Sequence, residues 1–151
     1  MKKENKSNSS NVHISCMSKG GVGKTTFTSP LSTLLYLNNP EKQINIFELD
    51  DFNEAEKVKS SFINHQTLKL KSTEIIIDEV QYHSLSDSSL INIIDAGGGV
   101  STKVVLAKLK EIELKNSNYY LPLCPDIDQV KNIKDTINLI LEFDKYANIN
   151  L

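Results

Sequence analysis

The sequence predicts an α/β fold, a mostly parallel sheet with helices on both faces, and three observations carry the prediction. Apolar stretches bounded by turn residues alternate with stretches of helical spacing along the chain. The chemically suggestive residues, at 18–25, 48–53 and 95–99, all fall just after strand candidates. In parallel sheets of this kind ligands bind at the carboxyl ends of the strands, so these residues can meet on one edge. The length, 151 residues, suits one domain with a core of its own.

The opening MKKENKSNSSN is basic, then polar, without the apolar stretch of a signal peptide, so 1–11 is expected to be a disordered leader to a domain over 12–151. VHISCM (12–17) is the first strand and runs straight into a glycine turn. GKTTFTSPLSTLLYL (23–37) reads as a helix with Phe27, Leu31, Leu34 and Leu35 on one face. Pro30 inside it is expected to kink it or to remove a backbone hydrogen bond. QINIFEL (43–49) is the second strand. The polar stretch 53–72 reads as a mobile connection with one short helix, and TEIIIDE (73–79) as a third strand. SLINIID (89–95) is a strongly apolar strand ending in Asp95. Residues 100–115 have helical spacing through Val105, Leu109 and Ile112. NYYLPLC (118–124) is a strand that Pro122 makes irregular or places at an edge. The clearest amphipathic helix is 126–143, through Val130, Ile133, Ile137, Ile140 and Leu141.

Composition excludes several classes. Hydrophobic residues make up 39% and charged residues 24%, no apolar run reaches membrane-spanning length, and the reading is a cytoplasmic globular protein. A net charge of −2 gives no global case for nucleic acid or an anionic membrane. The lysines of KVKSSFINHQTLKLK (57–71) support DNA contact only weakly, a solvated surface being the simpler account. Cys16 and Cys124 belong to no metal or redox pattern and are expected as reduced, buried thiols. All 17 basic residues are lysines; the chain has no arginine.

SKGGVGKTTF (18–27) is a phosphate loop by its chemistry. Gly20, Gly21 and Gly23 let backbone N–H groups turn inward around an anion, with Val22 between them. The helix that follows presents its free N–H groups and positive dipole end. Lys24 is placed for the β and γ phosphates, the Thr25 hydroxyl for Mg²⁺, and Thr26 nearer the α phosphate. The first glycine of the usual G-x-x-x-x-G-K-[ST] pattern is Ser18 here.

With its second lysine, Lys19, the segment SKGGVGKTT resembles the deviant phosphate loop, K-G-G-x-x-K-[ST], of the ParA/MinD ATPases, and the resemblance runs from residue 12 to 143. It implies a P-loop NTPase fold, ATP and Mg²⁺ as cofactors, and an ATP-dependent homodimer. Lys19 would be the signature lysine that crosses the dimer interface to the partner's phosphates. Many P-loop enzymes use an arginine finger for the transition-state charge. No subunit of this protein has one to offer, and Lys19 in trans is the available substitute.

INIFELDDFNEA resembles the family segment ending in D-x-D-P. Glu48 replaces the first acid and would shape the metal's outer shell. Asp50 keeps the second, the acid that orients or deprotonates the attacking water and helps hold the metal's waters. Asp51 stands where proline is usual, and Asn53 takes no chemistry. INIIDAGGG resembles the Walker B strand, with Asp95 holding a water on Mg²⁺. Gly97, Gly98 and Gly99 let the backbone approach the γ phosphate and move when it leaves, as in a nucleotide switch.

IDAGGG and ELDDFN look more like the small plasmid members associated with stability and conjugation. The implied function is a slowly hydrolysing ATPase acting as a switch in plasmid partition, stability or conjugation, with a partner protein of that system. The alternative is a non-hydrolysing, nucleotide-dependent protein-binding module, truncated or degenerate; a phosphotransferase ranks below both for want of an acceptor pocket. Family members continue beyond the helix at 126–143 with a further strand and an adenine-cradling loop, whereas this sequence ends at YANINL. A truncation, a naturally short member and a disrupted gene all stand open, and the sheet is expected to have an uncapped edge after NYYLPLC. No membrane-targeting helix like that of the division-site members is evident.

Overall fold

The computed structural model describes residues 11–17, 24–49, 60–86, 89–123 and 127–151. Its elements in chain order are β1 (Val12–Met17), α1 (Lys24–Asn38), β2 (Gln43–Leu49), β3 (Ile63–Leu68), α2 (Thr73–Ser86), β4 (Leu90–Gly98), α3 (Val100–Glu111), β5 (Asn118–Tyr120), α4 (Ile127–Phe143) and β6 (Asn148–Asn150). The strands form one sheet in the order β3-β2-β4-β1-β5-β6, and every pairing is parallel. β1 lies between β4 and β5 and is buried at every residue. This explains its near-continuous apolar sequence, because a central parallel strand is covered on both faces.

Side chains alternate between the faces, and the two faces carry different helices. Ile14, Cys16, Phe47, Leu49, Ile94 and Ala96 lie on one face. They pack against Ile76, Ile77 and Val80 of α2, Val105, Leu106 and Leu109 of α3, and Ile133 and Ile140 of α4. Ile44, Ile46, Ile63, Ile91 and Ile93 lie on the other, under Leu31 of α1, with Phe27, Leu35 and Tyr36 around it. Each fully buried isoleucine or leucine here is worth about 1.5–3 kcal/mol relative to exposure. Cys16 is buried and in no disulfide, as expected; Cys124 lies outside the described residues.

Several expectations are corrected. Residues 73–79 are the start of helix α2, not a strand. The run of three isoleucines reads as a buried strand, but Ile76, Ile77 and Val80 form a helical stripe while Ile75 is 70% exposed. The stretch 53–72 is not merely a connection: its part INHQTL is strand β3, paired with β2 from Ile63 to Leu68. Its polar residues hid it, and the ladder offered by β2 supplies the hydrogen bonds that its own sequence does not advertise. Residues 53–59 lie outside the described residues. Strand β5 ends at Tyr120, before Pro122. Leu34 on α1 and Val130 and Leu141 on α4 are exposed rather than in the core. α1 runs through Pro30 from Lys24 to Asn38.

The edge beyond β5 is also corrected, since β6, within the final YANINL, pairs with it over Asn118–Tyr120. Asp144 fixes this corner. Its buried carboxylate accepts the backbone N–H groups of Asn116 (3.4 Å), Ser117 (3.1 Å) and Tyr146 (3.0 Å). It thus holds the entry to β5 against the turn that leads into β6.

On the α1 face His13 is buried. Its Nδ1 lies 3.0 Å from the Tyr120 hydroxyl, with the two rings stacked 5.8 Å apart. Burial, aided by the Lys42 charge, lowers its pKa from 6.5 to about 4. The unfolded chain therefore binds a proton below pH 6.5 that the folded chain refuses. The stability this neutral ring contributes is fully present above pH 6.5 and is lost as the pH falls toward 4. The loss between pH 8 and pH 4 is expected to be roughly 3 kcal/mol. Urea unfolding against pH should show that slope, and His13→Gln should flatten it.

Candidate functional site

The carboxyl end of the sheet carries a polar row that crosses all six strands. Thr67, Glu48, Asp95, Ser15, Tyr120 and Asn150 follow one another at matched register positions of β3, β2, β4, β1, β5 and β6. Two residues earlier along β2 and β4, Ile46 and Ile93 belong to the core beneath α1, so by alternation the row lies on that face. Apolar layers support it from below, and α1 begins above it.

The middle of the row is dry. Glu48 and Asp95 are each 2% exposed and Ser15 is fully buried. Asp95 accepts a 3.0 Å hydrogen bond from the hydroxyl of Thr28, which lies just past the first turn of α1 and so ties that helix to the end of β4. Glu48 accepts a 3.1 Å hydrogen bond from Thr67 on Oε2, and His65 Nε2 lies 3.5 Å from the same oxygen. Glu48 Oε1 and Ser15 Oγ have no hydrogen-bond partner among the described residues. Two carboxylates at opposed register positions repel, and a buried acceptor left unmatched is costly. Both features suit a cation with hydrated oxygen coordination. Among the described residues no group of three or more His, Cys, Asp or Glu is gathered as a metal cage. Mg²⁺ does not need one, because it keeps several waters and takes one or two protein oxygens beside substrate phosphates.

The glycines after Asp95 are required by geometry. A Cβ on Gly97 would come within 2.8 Å of the Leu49 carbonyl oxygen and 2.9 Å of Ser101 Oγ, so β2 and α3 leave room only for glycine. Gly99 has φ 56°, in the left-handed region, where it turns β4 into α3. The register of β1 against β4 shifts between Ser15 and Met17, where Met17 meets Gly98. The Thr102 hydroxyl lies 3.0 Å from the carbonyls of both Met17 and Gly97, its one proton shared between them. α3 therefore clasps the exits of β1 and β4 together.

The structure brings Glu48, Asp95, Gly97 and Gly98 to one edge, with α1 starting at Lys24 beside them and Thr26 exposed in its first turn. Lys19, Gly20, Gly21, Val22, Gly23 and Asp50 lie outside the described residues, as do the side chains of Lys24 and Thr25. Ser15, Thr28, His65 and Thr67 were not foreseen. The period-2 spacing of His13 and Ser15 in β1, and of His65 and Thr67 in β3, is the signal that points to them.

These features define the class by its fold: a parallel α/β sheet with helices on both faces, a helix that starts after β1 and an acidic strand end beside it. Among solved structures, the MinD cell division protein of Aquifex aeolicus is similar, with a TM-score of 0.59 and 16% identity over 91% of this chain and 66% of that chain. A nucleotide-binding protein of Archaeoglobus fulgidus in complex with ADP is similar with a TM-score of 0.56 and 15% identity, over 92% and 66%. The chain thus spans about two thirds of the length of each. No protein-family model and no curated protein matches the sequence. No described helix is long and apolar enough to cross a membrane.

Proposed function

We propose that this chain binds Mg-ATP at the carboxyl edge of its sheet, hydrolyses it slowly, dimerises while nucleotide is bound, and serves as a switch in plasmid partition, stability or conjugation. The observation that carries the reading is the buried pair Glu48 and Asp95 beside the start of α1, with Thr28 joining that helix to Asp95. In the sequence the phosphate loop falls between β1 and α1.

In this reading the backbone of Gly20, Gly21, Val22 and Gly23 donates to phosphate oxygens, and the dipole of α1 favours the negative charge gathered there. Lys24 holds the β and γ phosphates, and Thr26 lies toward the α phosphate. Thr25 ligates Mg²⁺, which when bound neutralises phosphate charge, and Asp95 holds one of its waters. Glu48 shapes the outer shell of that ion. Asp50 orients the attacking water and accepts its proton. Lys19 reaches the phosphates of the second subunit, in a chain that has no arginine for the task. The glycines 97–99, at the β4–α3 junction, move when the γ phosphate leaves. The ADP-bound state of the Archaeoglobus fulgidus protein supports a nucleotide as the ligand.

The test is molecular mass in solution with Mg²⁺ and a non-hydrolysable ATP analogue, for wild type and Lys19→Ala. A wild-type dimer that Lys19→Ala loses while nucleotide stays bound is the expected result. A nucleotide-bound monomer in both refutes the cross-subunit role. Phosphate release, lost in Asp50→Ala with binding retained, checks hydrolysis. Binding without any release in wild type would instead make the protein a non-hydrolysing nucleotide-dependent module.

A further inference from the structure

We infer that His65 and Thr67, on the edge strand β3, are positioning residues that orient the Glu48 carboxylate within the cation site. The inference rests on the Mg-ATP reading above and assigns a role in it to a strand that contributes no residue to the phosphate loop or to the acidic strand ends.

Glutamate needs such support. It has one more rotatable bond than aspartate, and fixing a rotamer-rich side chain of this kind costs side-chain entropy. At Glu48 the neighbouring strand supplies the restraint. Thr67 stands directly opposite in the β2–β3 register, and its hydroxyl donates to Oε2 at 3.1 Å. His65 lies two residues earlier on the same face, opposite Ile46, and brings Nε2 to 3.5 Å from that same oxygen. The His65 side chain is only 6% exposed although its strand is at the sheet edge.

Both contacts fall on one oxygen. Oε2 is engaged from β3, and Oε1 is left buried with no hydrogen-bond partner among the described residues. Asp95 occupies the next position of the row on the opposite side of β2 from Thr67. A carboxylate held by one oxygen from one side keeps the other for the ion's water shell. Outer-shell partners of this kind fix ligand orientation, and removing one costs about 10–100-fold in metal affinity.

The test uses the full chain and a fluorescent ATP analogue, titrated with Mg²⁺ and separately in EDTA. Thr67→Val and His65→Phe are each expected to raise the Mg²⁺ needed for half-maximal binding about tenfold, at the low end of that range, while leaving binding in EDTA unchanged. Thr67→Ser, which keeps the donor, and His65→Gln, which keeps a polar side chain beside Oε2, are expected to stay near wild type. Long-range proton–nitrogen NMR of the His65 ring gives a readout without nucleotide: the Nε2 signal should shift in Glu48→Gln. Wild-type Mg²⁺ dependence in both Thr67→Val and His65→Phe overturns the inference. So does an equal loss of binding in EDTA, which would mark a purely structural role. If the wild type binds no analogue, the Mg-ATP reading falls by itself. The ring signal then decides the Glu48 contact, and a signal unmoved by Glu48→Gln overturns it.

Discussion

Asp95→Asn is expected to lower Mg²⁺-dependent ATP turnover about a hundredfold while making the nucleotide-free protein more stable. The two effects share one cause. The substituted amide keeps an oxygen that accepts from Thr28, so the tie between α1 and β4 survives. The substitution removes one of two negative charges that face each other across β2 and β4 in a site from which water is excluded. Relief of that repulsion is worth up to about 1 kcal/mol, or roughly 2–4 °C in melting temperature for a domain of this size. In the proposed site the lost charge is the one that would hold water on the ion. Thermal melts without nucleotide, beside phosphate-release rates at saturating Mg²⁺, measure both sides. A variant that turns over like wild type would remove Asp95 from the metal site. Such opposed effects are expected where a site stores repulsion that only its ligand relieves.

Asp144→Ala is expected to cost roughly 2–3 kcal/mol of folding stability, without removing any group of the proposed nucleotide site. The carboxylate takes three backbone N–H groups from two separate turns, and Asp144 is 1% exposed. Alanine would leave the buried Ser117 donor, and the part-buried donors of Asn116 and Tyr146, without their acceptor. Asp144→Asn retains part of the arrangement and should fall between the two. Urea unfolding gives the magnitude. Amide exchange should then show β5 and β6 opening before β1, β2 and β4, because β6 meets the sheet only through β5. Uniform loss of protection across all strands would mean that the corner is not a separable unit. An added nucleotide should recover part of the stability, by about 4 kcal/mol at a thousand times its dissociation constant.

How much was legible in the sequence depended on whether the signal was local. β1 and β2 coincide with the strands read from VHISCM and QINIFEL, because central parallel strands are apolar on both faces and end at turn residues. α1 and α4 were legible from their spacing, though Leu34 and Leu141 show that periodicity alone does not say how far a covering neighbour extends. β3 was not legible. Asn64, His65, Gln66 and Thr67 have no apolar alternation to mark a strand, and the pairing edge of β2 makes them one. The isoleucines of α2 misled for the opposite reason, since three in succession fit a strand or a helix until the helix's partners are known. Asp95 and Glu48 were each visible as an acid at a strand end. Their meeting at one register position, flanked by Ser15 and Thr67, follows from strand order, which no short stretch encodes.

The place of β1 in the sheet also sets a clock. Ser15 pairs with Asp95 on one side and Tyr120 on the other. On leaving a ribosome, β1 must therefore wait for neighbours made about eighty and a hundred residues later. At about 5–20 residues per second that interval is roughly 4–20 s. For that time an apolar strand fit for burial has neither of its pairing edges covered in its final form. Distant pairings of this kind slow folding, so a long exposure of the edges of β1 to other chains is expected from this strand order rather than from any one residue.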